Sequence, residues 1–86
     1  MIYKETVVNC ESGLHNNQAS YFVQKANEFV CSIWLEHGNR KMNAKSFLGV
    51  MSFGIVTGAT VTLSADGPDA EQALEALDAL LQRDVY

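Results

Sequence analysis

Apolar and polar positions change period several times along the chain, and each change predicts an element. Residues 2–9 (Ile-Tyr-Lys-Glu-Thr-Val-Val-Asn) are rich in β-branched and aromatic types, which predicts a strand; the polar run Asn9-Cys10-Glu11-Ser12-Gly13 ends it in a loop. Ala19, Phe22, Val23 and Ala26 then recur at the spacing that lays one apolar stripe along a helix, with Asn16 as its expected cap. Residues 32–37 and 40–44 flank Gly38-Asn39, a pair suited to the positive φ angles of a tight hairpin turn. Residues 46–52 predict a short helix capped by Ser46, with Gly54 and Gly58 bracketing its exit. Residues 60–65 alternate polar and apolar as a strand with one buried face does. After the turn Asp66-Gly67-Pro68, Asp69 is expected to open a last helix in a capping-box relation with Gln72, its stripe formed by Ala70, Ala73, Leu74, Leu77, Leu80 and Leu81. The order is βαββαβα. Two one-sided helices and half-buried strands are buried together most economically when the helices cover one face of an antiparallel sheet, so the expected class is an α+β open-faced sandwich.

Composition narrows this further. At 86 residues the chain is expected to form a single domain over 1–86, with no linker or repeat, and to bury only about 60–65% of its unfolded surface, which leaves little room for a deep active site. A net charge of −4 argues against nucleic acid or an anionic membrane as partner. No apolar run reaches the ~18–20 residues of a membrane span, and Lys4-Glu5 breaks any signal-like start, so a cytoplasmic location is expected. Cys10 and Cys31 then read as reduced, buried or half-buried thiols.

Candidate chemistry is local. The chain has no phosphate loop, Cys-x-x-Cys pair, His-Glu-x-x-His segment or nucleophile elbow, and no motif that implies a cofactor. Cys10, His15 and His37 lie on separate elements without a fourth ligand, so no metal is expected, and a Cys10–His15 dyad lacks an orienting third group. His15 precedes a helix whose free amides favour an anion; its imidazole is a possible nucleophile with Asn16 and Asn17 as the cradle, against the plainer reading of a solvated loop residue. Ser46 reads first as a helix cap, by far the commoner role; the same geometry would set a phosphate on its hydroxyl at a helix start. Arg40, Lys41 and Lys45 form a basic cluster in the sequence near it. Phe47, Leu48, Val50, Met51 and Phe53 are too many apolar groups for one side of a two-turn helix, so either Phe47, Leu48 and Met51 face a protein partner or the helix is wedged into the core. Nothing in the sequence demands more than a monomer.

Three segments, Ser12-Gly13-Leu14-His15, Ala44-Lys45-Ser46 and Leu48-Gly49-Val50-Met51-Ser52-Phe53-Gly54, together with the βαββαβα order, resemble HPr, the histidine-containing phosphocarrier of the bacterial sugar phosphotransferase system. The resemblance runs essentially end to end. It implies an HPr-like open-faced sandwich with a four-stranded antiparallel sheet, and a cytoplasmic phosphoryl carrier rather than a true enzyme. It further implies that His15 takes phosphate from Enzyme I and passes it to Enzyme IIA domains. Ser46 matches the serine that a dedicated kinase phosphorylates in many members, which then act on a catabolite-control transcription regulator. The loop departs from the family pattern: a small residue, Arg, Pro and Ala are expected after the histidine, where this chain has Asn16-Asn17-Gln18-Ala19. Asn17 cannot supply the charge-assisted bonds of a guanidinium, a loss of about 1.5–3 kcal/mol that would slow transfer or weaken docking by roughly one to two orders of magnitude. Gln18 also lacks the fixed φ of proline. Two readings follow: a carrier with a variant loop, or an HPr-like regulatory module acting through Ser46 and the Phe47, Leu48, Met51 surface.

Overall fold

A computed structural model describes residues 1–84. The elements are β1 (Ile2–Val7), α1 (Asn16–Asn27), β2 (Ser32–His37), β3 (Arg40–Asn43), α2 (Phe47–Ser52), β4 (Thr60–Asp66) and α3 (Ala70–Leu81). The strands form one four-stranded sheet in the order β1-β4-β2-β3, with every neighbouring pair antiparallel. This is the expected βαββαβα architecture. β1 is shorter than its apolar run predicts because the ladder breaks at Val8: its N–H still donates to Ala59 O (2.8 Å), but Gly58 N–H returns to Val8 O (2.7 Å), and the N–H groups of Asn9 and Cys10 donate to Leu81 O (2.8 and 3.0 Å).

Register explains which side chains enter the core. Leu35 opposes Leu63 and Ile33 opposes Ala65, and all four are buried on one face of the sheet. The predicted stripes meet them there: Ala19, Phe22, Val23 and Ala26 from α1, and Ala70, Ala73, Leu74, Leu77 and Leu81 from α3. Leu80, expected in the same stripe, is only partly buried. The β1 edge meets α3 through polar groups, with Thr6 Oγ1 donating to Asp78 Oδ1 (2.6 Å) and Lys4 Nζ 3.7 Å from Asp78 Oδ2.

Two expected caps are not formed. His15, not Asn16, occupies the N-cap of α1, and it makes no side-chain cap bond. Asn16 is instead the first helical residue, at φ +47°, a conformation that Asn tolerates better than most side chains. Asp69 does sit at the N-cap of α3, but its carboxylate faces away from Gln72 and accepts the N–H groups of Val30 (2.9 Å) and Cys31 (3.0 Å). A tertiary demand, the two free amides ahead of β2, has taken the side chain that the local pattern assigned to the helix.

Candidate functional site

The His15 segment is built on an anchored loop. Leu14 is fully buried and its N–H donates to Ile55 O (3.0 Å); Gly13 N–H donates to Cys10 O (3.0 Å). Gly13 has φ +69°, and a Cβ there would lie 2.6 Å from Ile55 O and 3.0 Å from Val56 Cα, so only glycine lets the two segments come this close. His15 follows in extended conformation (φ −130°, ψ 159°), half-buried, and its ring has no hydrogen-bond partner among the described residues. Asn16 and Asn17 are exposed, and the first turn of α1 carries no acidic residue. An anion on His15 would therefore meet free helix-start amides without a competing carboxylate.

Gln18 departs from its sequence reading as a mere loss of constraint. It is fully buried, and its Nε2 donates to Leu80 O and to Arg83 O (3.1 Å) at the end of α3. The Cys10–His15 pair does not form a dyad: Cys10 Sγ donates to Gly13 O (3.3 Å). Burial pushes the Cys10 thiol up, and burial together with the Asp69 carboxylate does the same to Cys31, so neither is poised as a thiolate.

Ser46 behaves as its cap pattern predicts. It is exposed, and its Oγ accepts the Gly49 N–H (3.2 Å) at the start of α2. The basic residues near it in sequence do not converge on it, because each has found a local partner. Arg40 donates to Ser52 O and Ser52 Oγ (both 3.1 Å) and lies 5.2 Å from the Phe53 ring centre. Lys41 lies over Trp34 on the open face of the sheet, and Lys45 Nζ donates to Phe29 O (2.6 Å).

The apolar set of α2 divides between the two expected arrangements. Val50 and Phe53 are buried, and Met51 is half-buried against the core. Leu48 is 81% exposed and Phe47 42%, so the outward surface is narrower than Phe47, Leu48 and Met51 together. Sequence reasoning missed Val56, which is 59% exposed and lies beside Gly13 at the foot of the His15 loop. Only the Leu14–Ile55 contact reveals it, and no local pattern encodes that contact. Among the described residues no three His, Cys, Asp or Glu side chains come together as a metal-holding group, and no helix is long and apolar enough to cross a membrane.

A nucleophile-capable histidine at the start of α1 and a capping serine at the start of α2, on an open-faced sandwich, define a protein class. The family model described as the PTS HPr component phosphorylation site matches residues 2–83, and the chain belongs to the HPr family. Among its relatives, the HPr-like protein Crh of Bacillus subtilis is 42% identical over 85 residues, which cover 99% of this chain and 100% of that one. The phosphocarrier protein HPr of Bacillus anthracis superposes with a TM-score of 0.92 at 43% identity, covering 94% of this chain and 96% of that one. The crystal structure of Bacillus subtilis Crh, described as a catabolite-repression protein and a domain-swapped dimer, gives a TM-score of 0.75 at 43% identity, covering 95% and 94%. The dimer of that relative runs against the expectation of a monomer for this chain.

Proposed function

We propose that this chain is a regulatory module of the sugar phosphotransferase network: an HPr-like protein whose signal is a phosphate on Ser46 and whose receiver is a catabolite-control transcription regulator. The observation that carries the reading is the exposed Ser46 hydroxyl beside the outward Phe47 and Leu48, on a chain 42% identical to Crh. A serine kinase would transfer a phosphoryl group to Oγ, which already lies at the first-turn amides of α2, so the added charge needs no refolding. Phe47 and Leu48, with Met51 at their edge, would supply the apolar part of the contact. The site is surface chemistry on one domain in the cytoplasm and assigns no cofactor to this chain. The test is affinity for the regulator before and after Ser46 phosphorylation. The modified form is expected to bind at least about tenfold tighter, a gain of about 1.4 kcal/mol; undetectable binding in both states ends the reading.

His15 supports a second role, carriage of phosphate from Enzyme I to Enzyme IIA domains. Its ring, which has no hydrogen-bond partner among the described residues, at the acid-free start of α1 favours this reading. Asn16 and Asn17 would form the cradle, without the guanidinium that the family pattern places after the histidine, so transfer should be slow. Incubation with Enzyme I and phosphoenolpyruvate should yield an acid-labile phosphate that His15→Ala abolishes; no labelling by a cognate Enzyme I would rule the role out.

A further inference from the structure

Gln18 lies three residues past His15 in the first turn of α1, and its side chain is fully buried. A buried primary amide is costly unless its donors are used, and here they are used on the end of another helix. Nε2 donates to Leu80 O and Arg83 O, carbonyls at a helix terminus where intrahelical partners run out. The same end of α3 holds the other flank of His15. Leu81 O accepts the N–H groups of Asn9 and Cys10, and Asp84 Oδ1 accepts that of Glu11 (2.9 Å). The loop before His15 and the helix after it are thus both fastened to one helix terminus, the first by backbone and the second by the Gln18 side chain. With no hydrogen-bond partner for the His15 ring among the described residues, the position of the ring is set by these flanks.

We propose that Gln18 is a positioning residue for His15, holding the first turn of α1 on the end of α3 and so doing through hydrogen bonds what a ring-locked φ would do at this helix position. The inference deepens the second reading above and rests on it only for the identity of the physiological phosphoryl donor. It also explains why a polar side chain is fully buried at a position that could have carried an apolar one.

The experiment uses the full chain and phosphoramidate, a small phosphoryl donor that needs no Enzyme I. The phosphorus–nitrogen bond of the donor breaks, a bond from phosphorus to a His15 ring nitrogen forms, and ammonia leaves. His37, on β2, serves as the internal reference, and the readout is the ratio of His15 to His37 labelling taken under conditions where circular dichroism shows each variant folded. Gln18→Met, which removes both Nε2 bonds, is expected to lower that ratio at least about tenfold, the kinetic size of a single buried hydrogen bond. Gln18→Pro, which restores backbone rigidity where α1 tolerates it, should keep the ratio within about twofold. Gln24→Met, an exposed site on the same helix, should leave it unchanged. An unchanged ratio in Gln18→Met overturns the proposal, and so does an equal loss in Gln18→Pro. If Gln18→Met does not fold, the proline variant decides alone. Labelling of His15 by phosphoramidate but not by Enzyme I would remove the carrier role while leaving the positioning role standing.

Discussion

The His15 loop and the Ser46 helix both place a candidate phosphate-accepting side chain at a helix start, yet they are held in opposite ways. Ser46 is fixed locally: its own hydroxyl accepts Gly49 N–H three residues on, and the short helix it caps is anchored by Val50 beneath. The His15 side chain makes no hydrogen bond among the described residues, and the residue's one tie is its carbonyl, which accepts Ala19 N–H (3.2 Å). It is presented by Gly13 against Ile55, by Leu14 in the core and by Gln18 on the far end of α3. A site built from neighbours in sequence survives drift elsewhere, whereas one built from distant segments depends on all of them. Asn17 and Gln18, where the resemblance read from the sequence breaks, fall in the second kind of site, and Ser46 in the first.

The sharpest way to break this contrast is Gly13→Ala. Forcing a side chain into φ +69° and against Ile55 O should cost about 1–3 kcal/mol or more in denaturant unfolding, with His15 labelling lost and the Ser46 end retained. A mild effect would mean that the Leu14–Ile55 junction is not what presents His15. A second test concerns acid. The Val30 N–H, and the Cys31 groups after it, hold the Asp69 carboxyl below its usual range. A depressed folded-state value means that this contribution is fully present above the unfolded value near ~3.9 and is lost as pH falls through the folded value. The acid limb of the stability curve should therefore flatten in Asp69→Asn, while neither phosphorylatable site changes; an unaltered limb would place the acid-sensitive contacts elsewhere.

Smaller effects sharpen the Ser46 side. Ser46→Ala should cost about 0.5–2 kcal/mol because Gly49 N–H loses its acceptor, and Ser46→Asp should recover part of it at the positive helix end. Equal melting of wild type and Ser46→Ala would show that the cap bond contributes nothing. Smallest of all, Leu48→Glu should change stability by no more than about 0.5 kcal/mol, since that side chain is 81% exposed, yet it should abolish regulator binding. Retained binding in that variant would move the docking surface away from α2.

Periodicity and turn chemistry made most of the fold legible: both helical stripes, the Gly38-Asn39 hairpin and the Ser46 cap lie where the residue pattern puts them. The misreadings share one cause. Asn16 and Asp69 are good cap residues by local rule, but Asn16 became a left-handed first residue of α1 and Asp69 turned to the amides of Val30 and Cys31. The basic cluster dispersed for the same reason: Arg40 took Ser52 at the end of α2, Lys41 the Trp34 ring on β2 and Lys45 the Phe29 carbonyl in the loop before β2.

By itself, then, the sequence determined the order of elements, the face each of the two long helices buries, the family and the residues capable of chemistry, because those rest on patterns within a few residues of one another. Tertiary structure alone decided that α3 is the pedestal of the His15 loop, that Val56 flanks that loop, and that a buried glutamine is satisfied by carbonyls more than sixty residues away. Such contacts depend on how the elements come together around one core, and no period along the chain carries that information.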